Sequence, residues 1–340
     1  MTRVLRLARP MIALVVLALT TGLLSSSAQA ADNGAWSVTP TPGSAASATP
    51  RSYFVLEGAP GATLTDKVRI RNYTNRPLTF SLYGADGYNT EQGGFFALRT
   101  LERPQIDVGA WIKMPVQQVK VARRTQVDVP ITVQIPPNAT PGDHVGGIVA
   151  LNGAVEGTTE SGGIDVGIKR AVAARVYLRV SGPTTPALEV SGVTLDHDRG
   201  FFPWTGSGKG TVSYTVKNTG NLRLSPESVI ALSGIGGREL DTVETAAVVD
   251  LLPGQIAKLR ADVSGITYAD RVSVDVTLAT PEGVRDLGSQ TVWIVPWPLM
   301  LIALLLLAGA AWWWWRRRVE RRRAFEAVAT APKLSIASGR

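Results

Sequence analysis

Between Val292 and Trp315 the chain carries no charged residue, and Leu299 to Leu307 at the centre of that stretch is wholly apolar. As a helix, Pro298 to Trp315 measures ~27 Å at 1.5 Å of rise per residue, about one hydrocarbon core. Trp293 and Trp297 stand at one end and Trp312, Trp313, Trp314 and Trp315 at the other, where indole rings favour the boundary between lipid and water. Arg316, Arg317, Arg318, Arg321, Arg322 and Arg323 follow at once. Basic residues stay on the cytoplasmic side. The sequence therefore predicts a transmembrane helix over residues 292–315, a basic cytoplasmic tail over 316–340, and an extracellular ectodomain before them, in single-pass type I orientation in the cell membrane. A buried core helix has no use for four adjacent Trp and six Arg.

The other end carries a second membrane signal. Arg3, Arg6 and Arg9 precede the apolar run Met11 to Leu19, and small residues lead to Ala28-Gln29-Ala30. That order is a secretory signal peptide, residues 1–30, with cleavage after Ala30. Charge follows the same division. The first thirty residues hold three Arg and no acid, and the tail holds eight basic residues against Glu320 and Glu326. A net +9 at the two ends against +8 overall leaves residues 31–315 at −1. The basicity is topological, and the sequence predicts no nucleic-acid partner. There is no Cys, which excludes disulfides, thiolate metal sites and thiol nucleophiles.

Residues 31–51, rich in Pro, Ala, Ser and Thr, read as a flexible leader. Beyond them period-two alternation dominates. Val127, Val129, Ile131, Val133 and Ile135 alternate with polar residues and Pro130, which assigns that strand to a sheet edge or a bulge. Leu78, Phe80 and Leu82 alternate, as do Val172, Ala174, Val176, Leu178 and Val180. After Gly182-Pro183-Thr184-Thr185-Pro186 the pattern resumes with Val212, Tyr214, Val216 and with Val272, Val274, Val276, Leu278. The blocks echo each other: strand and turn at Val68–Asn75 resemble those at Tyr214–Asn221. The expected fold is all-β, two tandem immunoglobulin-like β-sandwich domains (residues 52–181 and 187–291) plus one C-terminal transmembrane helix.

Little catalytic chemistry is available. His144 and His197 are the only histidines. Asp143-His144 lies between Pro141-Gly142 and Gly146-Gly147 and can be a structural turn or a ligand contact. Asp196-His197-Asp198 reads as a polar loop, since a closed transition-metal site needs more ligands. No cofactor is expected. Tyr83, Tyr88, Phe95, Phe96 and Trp111 surround loops rich in Gly, Asn and Asp, and aromatic faces of this kind suit sugar rings. Trp111 is equally the large aromatic that a sandwich of this size buries, and both roles stay open.

Tyr53-Phe54-Val55-Leu56, Pro60-Gly61, the Asn72 turn, Asp86, Gly93-Gly94-Phe95-Phe96, Trp111-Ile112 and Pro136 to Ala150 form an ordered series. In it residues 36–181 resemble the peptidoglycan-binding domain of the WxL-interacting protein family, in an actinobacterial-type member. Pro141-Gly142-Asp143-His144-Val145-Gly146-Gly147-Ile148 is the most specific part. The resemblance implies a cell-surface protein that binds peptidoglycan or another cell-wall glycan, with a surface protein as a further partner. Residues 187–291 depart from that family's second domain and read as an Ig-like spacer. The expectation is a non-catalytic wall-binding module with Tyr88, Phe95, Trp111, Asp143 and His144 as ligand-binding residues. The alternative is an assembly or adhesion scaffold that binds a protein partner by β-strand addition.

Overall fold

The computed structural model describes residues 33–42, 51–154, 157–161, 164–198 and 208–329. The signal peptide and residues 330–340 of the tail lie outside them. In the first sandwich the elements are β1 (Trp36–Pro40), β2 (Phe54–Gly58), β3 (Thr63–Asn72), β4 (Leu78–Asn89), β5 (Phe96–Leu98), the single-turn helix α1 (Val108–Trp111), β6 (Ile112–Lys113), β7 (Gln118–Val121), β8 (Gln126–Gln134), β9 (Gly142–Asn152), the hairpin β10 (Gly157–Ser161) and β11 (Ile164–Ile168), and β12 (Ala171–Val180). One sheet has the order β1-β3-β8-β6. The facing sheet runs β2-β12-β9-β4-β5, with β7 also beside β4.

Alternation places one apolar row of each sheet inward. Ile70, Ile131, Phe80, Ile148 and Leu178 are fully buried between the sheets, each stabilising the fold by roughly 1.5–3 kcal/mol relative to exposure. The leader expected over residues 31–51 is corrected here. Trp36 and Val38 on β1 are fully buried, Trp36 stacks on Phe80 at 5.4 Å, and β1 pairs in register with β3. Pro, Thr and Ser around this short strand masked its alternation.

The second sandwich holds β13 (Leu188–His197), β14 (Gly210–Asn218), β15 (Glu227–Ser233), β16 (Glu239–Thr245), β17 (Ile256–Val263), β18 (Asp270–Ala279) and β19 (Arg285–Ile294). Its sheets are β13-β14-β17 and β16-β15-β18-β19, closed over a separate core that includes Val212, Tyr214, Ile230, Leu251 and Val274. The long helix α2 follows (Trp297–Ala329), and Trp297–Arg322 is long and apolar enough to cross a membrane. The expected helix start at 292 is also corrected, because Val292, Trp293 and Ile294 pair with Val272, Arg271 and Asp270. Strand end and span are both uncharged, so composition cannot separate them. Pro296 and Pro298 mark the change, since proline ends a ladder but fits the first turn of a helix.

The repeated Asn turn has a structural cause. Asn72 is fully buried, and its amide donates to the carbonyls of Arg76, Val121 and Ala122 while its oxygen accepts the Thr74 N–H. Asn218, equally buried, donates to Leu222 and Leu251 and accepts from Gly220. Each side chain ties a strand end to a turn distant in sequence, through carbonyls that several of the turn's own donors also share.

Candidate functional site

The site begins with a buried carboxylate. Asp86, near the end of β4, accepts the N–H groups of Ile106 (2.6 Å), Asp107 (3.1 Å) and Gly109 (2.7 Å). These are donors at the start of α1 that no intrahelical carbonyl can take. The turn lies tight on the sheet, because a Cβ at Gly109 would stand 2.5 Å from the Ala85–Asp86 peptide. Held in this way, α1 presents Asp107 and Trp111 to β9.

There they meet His144. Its Nδ1 donates to Asp107 Oδ1 at 2.6 Å and its Nε2 to the Thr140 carbonyl at 2.9 Å. The Trp111 ring lies 4.8 Å away, tilted by 48°. Asp107 Oδ1 and the Thr140 carbonyl both accept, so the two bonds are made together when both ring nitrogens carry protons, and this geometry favours the imidazolium. Burial opposes this charge, but the bond and charge of Asp107, with the Thr140 carbonyl, outweigh it and raise the His144 pKa above its ordinary value. In that protonated form His144 has no lone pair left for a general base or a metal ligand.

Trp111, Asp107 and His144 form one wall of a cleft of ≈ 500 Å³, with Asn138 and Thr140 beside them and Asn221, Leu252 and Gln255 of the second sandwich opposite. Three of the expected residues, Trp111, Asp143 and His144, therefore line one cavity. Trp111 also packs half-buried against the first core, so it serves both surfaces. Asp143 is committed elsewhere. It makes a two-point ion pair with Arg179 (2.8 and 3.1 Å) and accepts the Arg223 N–H across the domain boundary.

Tyr88 and Phe95 lie outside the cleft, around the β4–β5 turn. Tyr88 pairs with Ala97, and Phe95 is 72% exposed. Their turn is a joint. Asn89 exchanges hydrogen bonds with Asp250 O and Leu252 N, Lys258 N donates to Glu91 O, and Gly94 fits against Val248 and Ala257. Asp250 anchors the joint from the second sandwich, in left-handed backbone (φ 57°). Its carboxylate accepts Tyr177 Oη at 2.8 Å, Arg223 at 2.9 Å and Arg175 at 3.3 Å. Arg223 and Arg175 also stack on Tyr177 and Phe96, at 4.1 and 4.3 Å. Burial, with Asp250 alongside, lifts the Tyr177 phenol above its usual pKa and keeps it a donor. Asp250 gives no sequence signal, because its role depends on a backbone conformation between two domains.

Asp196, His197 and Asp198 lie at the opposite end of the second sandwich, beside Asp241 and Asp262. Among the described residues no group of acids and histidines has the arrangement of a metal site.

No family model matches the chain, and no curated protein is similar to it in sequence. The family resemblance of residues 36–181 thus rests on the quoted motifs alone. Solved structures with some likeness include a chaperone–tip adhesin complex of CFA/I fimbriae biogenesis (TM-score 0.39, 10% identity, 75% of this chain and 98% of that one). Others are the class 5 fimbriae chaperone CfaA (0.35, 10%, 70% and 95%) and the Pseudomonas aeruginosa CupB2 chaperone (0.31, 12%, 70% and 96%). Overlaps this low carry no functional argument.

Proposed function

We propose that this chain is a non-catalytic, membrane-anchored surface scaffold whose first sandwich binds an extended segment of a partner protein by strand addition. The observation that carries this reading is the state of the sheet edges. β2 pairs in parallel with β12 over Phe54–Gly58, and among the described residues no strand lies on its other side. Val55 on β2 is 69% exposed, Tyr53 just before it 46%, and Glu57 is the only charge on the strand. Natural edges are usually blunted by proline, charge or cover. β8 is blunted in this way: Pro130 lacks a donor, Asp128 is ion-paired to Arg69 at 2.7 Å, and β6 covers Thr132 and Val133. The unguarded edge of β2 is the one suited to receive another chain. In this reading the ectodomain is extracellular, with the residues after α2's apolar stretch in the cytoplasm.

A photoreactive residue replacing Val55 in living cells should cross-link to one extended segment of a partner, and the same residue at Gln126 on β8 should not. Equal adducts at both positions, or none at Val55, would defeat the reading.

The cleft favours a second reading, binding of peptidoglycan or another wall glycan. Its Trp111 face and its Asn138 and Gln255 amides suit a sugar's apolar face and hydroxyls. Here the ectodomain should sediment with insoluble peptidoglycan and lose that property in Trp111→Ala, provided the variant is folded. Sedimentation unchanged by the substitution would remove the cleft from consideration.

A further inference from the structure

The lower end of the second sandwich exposes apolar side chains that its own packing does not use. Trp293 on β19 is 67% exposed, Val295 after it 55%, and Ile235 in the turn between β15 and β16 59%. These belong to one rim. β15, β18 and β19 are adjacent in the sheet, so the rim is about 10 Å across. Asp270 at the start of β18 stands directly opposite Ile294, the last residue of β19. The Asp270 carboxylate also accepts the Ile235 N–H (2.9 Å), Arg238 Nη2 (2.8 Å) and Thr267 Oγ1 (2.9 Å). The turn is thereby fixed, with Gly236 and Gly237 in left-handed backbone (φ 76° and 77°), and Ile235 is held outward.

The same rim is where the chain leaves for the membrane. Only Val295 and Pro296 separate β19 from α2, a reach of at most ~7 Å. The headgroup layer is roughly 5–8 Å deep on each side of the hydrocarbon. With the apolar helix filling the hydrocarbon from Pro298 onward, the rim has no room to stand clear of that layer. Arg271 lies 5.7 Å over the Trp293 ring, an amphipathic pair of the kind that suits the interface.

We propose that this rim is seated in the lipid headgroup layer, with Ile235, Trp293 and Val295 as its apolar contacts and the bilayer surface as its partner. Anionic lipid is not required, since Arg238 is already paired with Asp270. The proposal rests on α2 spanning the bilayer and adds that the folded domain itself sits on the lipid.

The absence of Cys makes single-cysteine labelling of the full chain direct. An environment-sensitive dye is placed in turn at Ile235→Cys, Ala303→Cys and Glu282→Cys, with the chain reconstituted in phosphatidylcholine vesicles. Glu282 lies in the β18–β19 turn, at the other end of the same sheet. The labels at 303 and 235 should emit to the blue and be quenched by brominated lipid, while the label at 282 responds to aqueous iodide. If 303 is quenched by lipid but 235 behaves like 282, the seated rim is wrong and the span stands. If 303 is not quenched by lipid, both fall.

Discussion

The two sandwiches share one device and differ in almost everything built around it. Asn72 and Asn218 tie the same kind of corner in each domain, by the same amide bonds to the carbonyls of distant turns. Among the described residues only the first domain carries an α-helical turn laid over its sheet, a histidine held between Asp107 and Trp111, and the exposed edge at β2. The second closes over a plain core and carries its apolar surplus at the end where α2 begins. A shared corner belongs to the fold. The features present once are the ones to examine for binding.

That division can be broken most sharply at Trp36. Trp36→Ala should cost the first sandwich about 3–5 kcal/mol and leave the second unchanged, read as separate denaturation transitions of the full chain in detergent. Equal losses in both transitions would show that the two cores unfold as one unit. Next come the paired corners. Asn72→Ala removes three amide bonds to carbonyls and Asn218→Ala two, at roughly 0.5–1.5 kcal/mol for each bond. Each variant should lower its own domain's transition, Asn72→Ala by more, and the reverse order would mean that the corners are not equivalent.

Asp250→Ala acts on neither core. It frees Arg175, Arg223 and the Tyr177 hydroxyl, so spin labels on the two sandwiches should report a broader distance distribution while both transitions stay nearly in place. A distribution as narrow as in the parent would assign the joint to Asn89 and to Asn221, whose amide donates to the Pro141 carbonyl at 2.9 Å, instead. The smallest effect expected is that of pH. The folded His144 pKa lies above its unfolded value near 6.5, so its contribution is complete below about 6.5 and fades as pH rises through the folded pKa. The first transition should fall across that window, and the fall should flatten in His144→Gln. An identical slope in the variant would assign the dependence to another group.

Much of the strand pattern was legible because burial on one face writes itself at period two, as in Val127–Ile135 and Val172–Val180. β1 was not, since Pro40, Thr39 and Ser37 gave it the composition of a linker although Trp36 and Val38 face the core. α1 is a single turn, too short for any periodicity, and its position depends on Asp86, some twenty residues earlier. For the same reason Trp111, Asp143 and His144 could be named from local motifs, while Asp107, the carboxylate that pairs with His144 and raises its pKa, could not. Tyr88 and Phe95 fit a sugar-binding composition, but the structure places them around the turn that joins the domains. The start of α2 was misplaced because residues 292–294 are as apolar on a strand as they would be in lipid.

The way α2 leaves the second sandwich also sets how the molecule bears tension. Every residue from Arg285 to Ile294 on β19 is paired antiparallel with β18, and the membrane helix hangs from the far end of that strand. A pull between the first sandwich and α2 therefore drags β19 lengthwise past its neighbour rather than peeling it sideways. The whole ladder is loaded at once, and failure waits on the slow unfolding rate of the entire sandwich rather than on the loss of one bond at a time. Loaded through a hairpin in shear, the second domain is a mechanical shackle between α2 and the first domain.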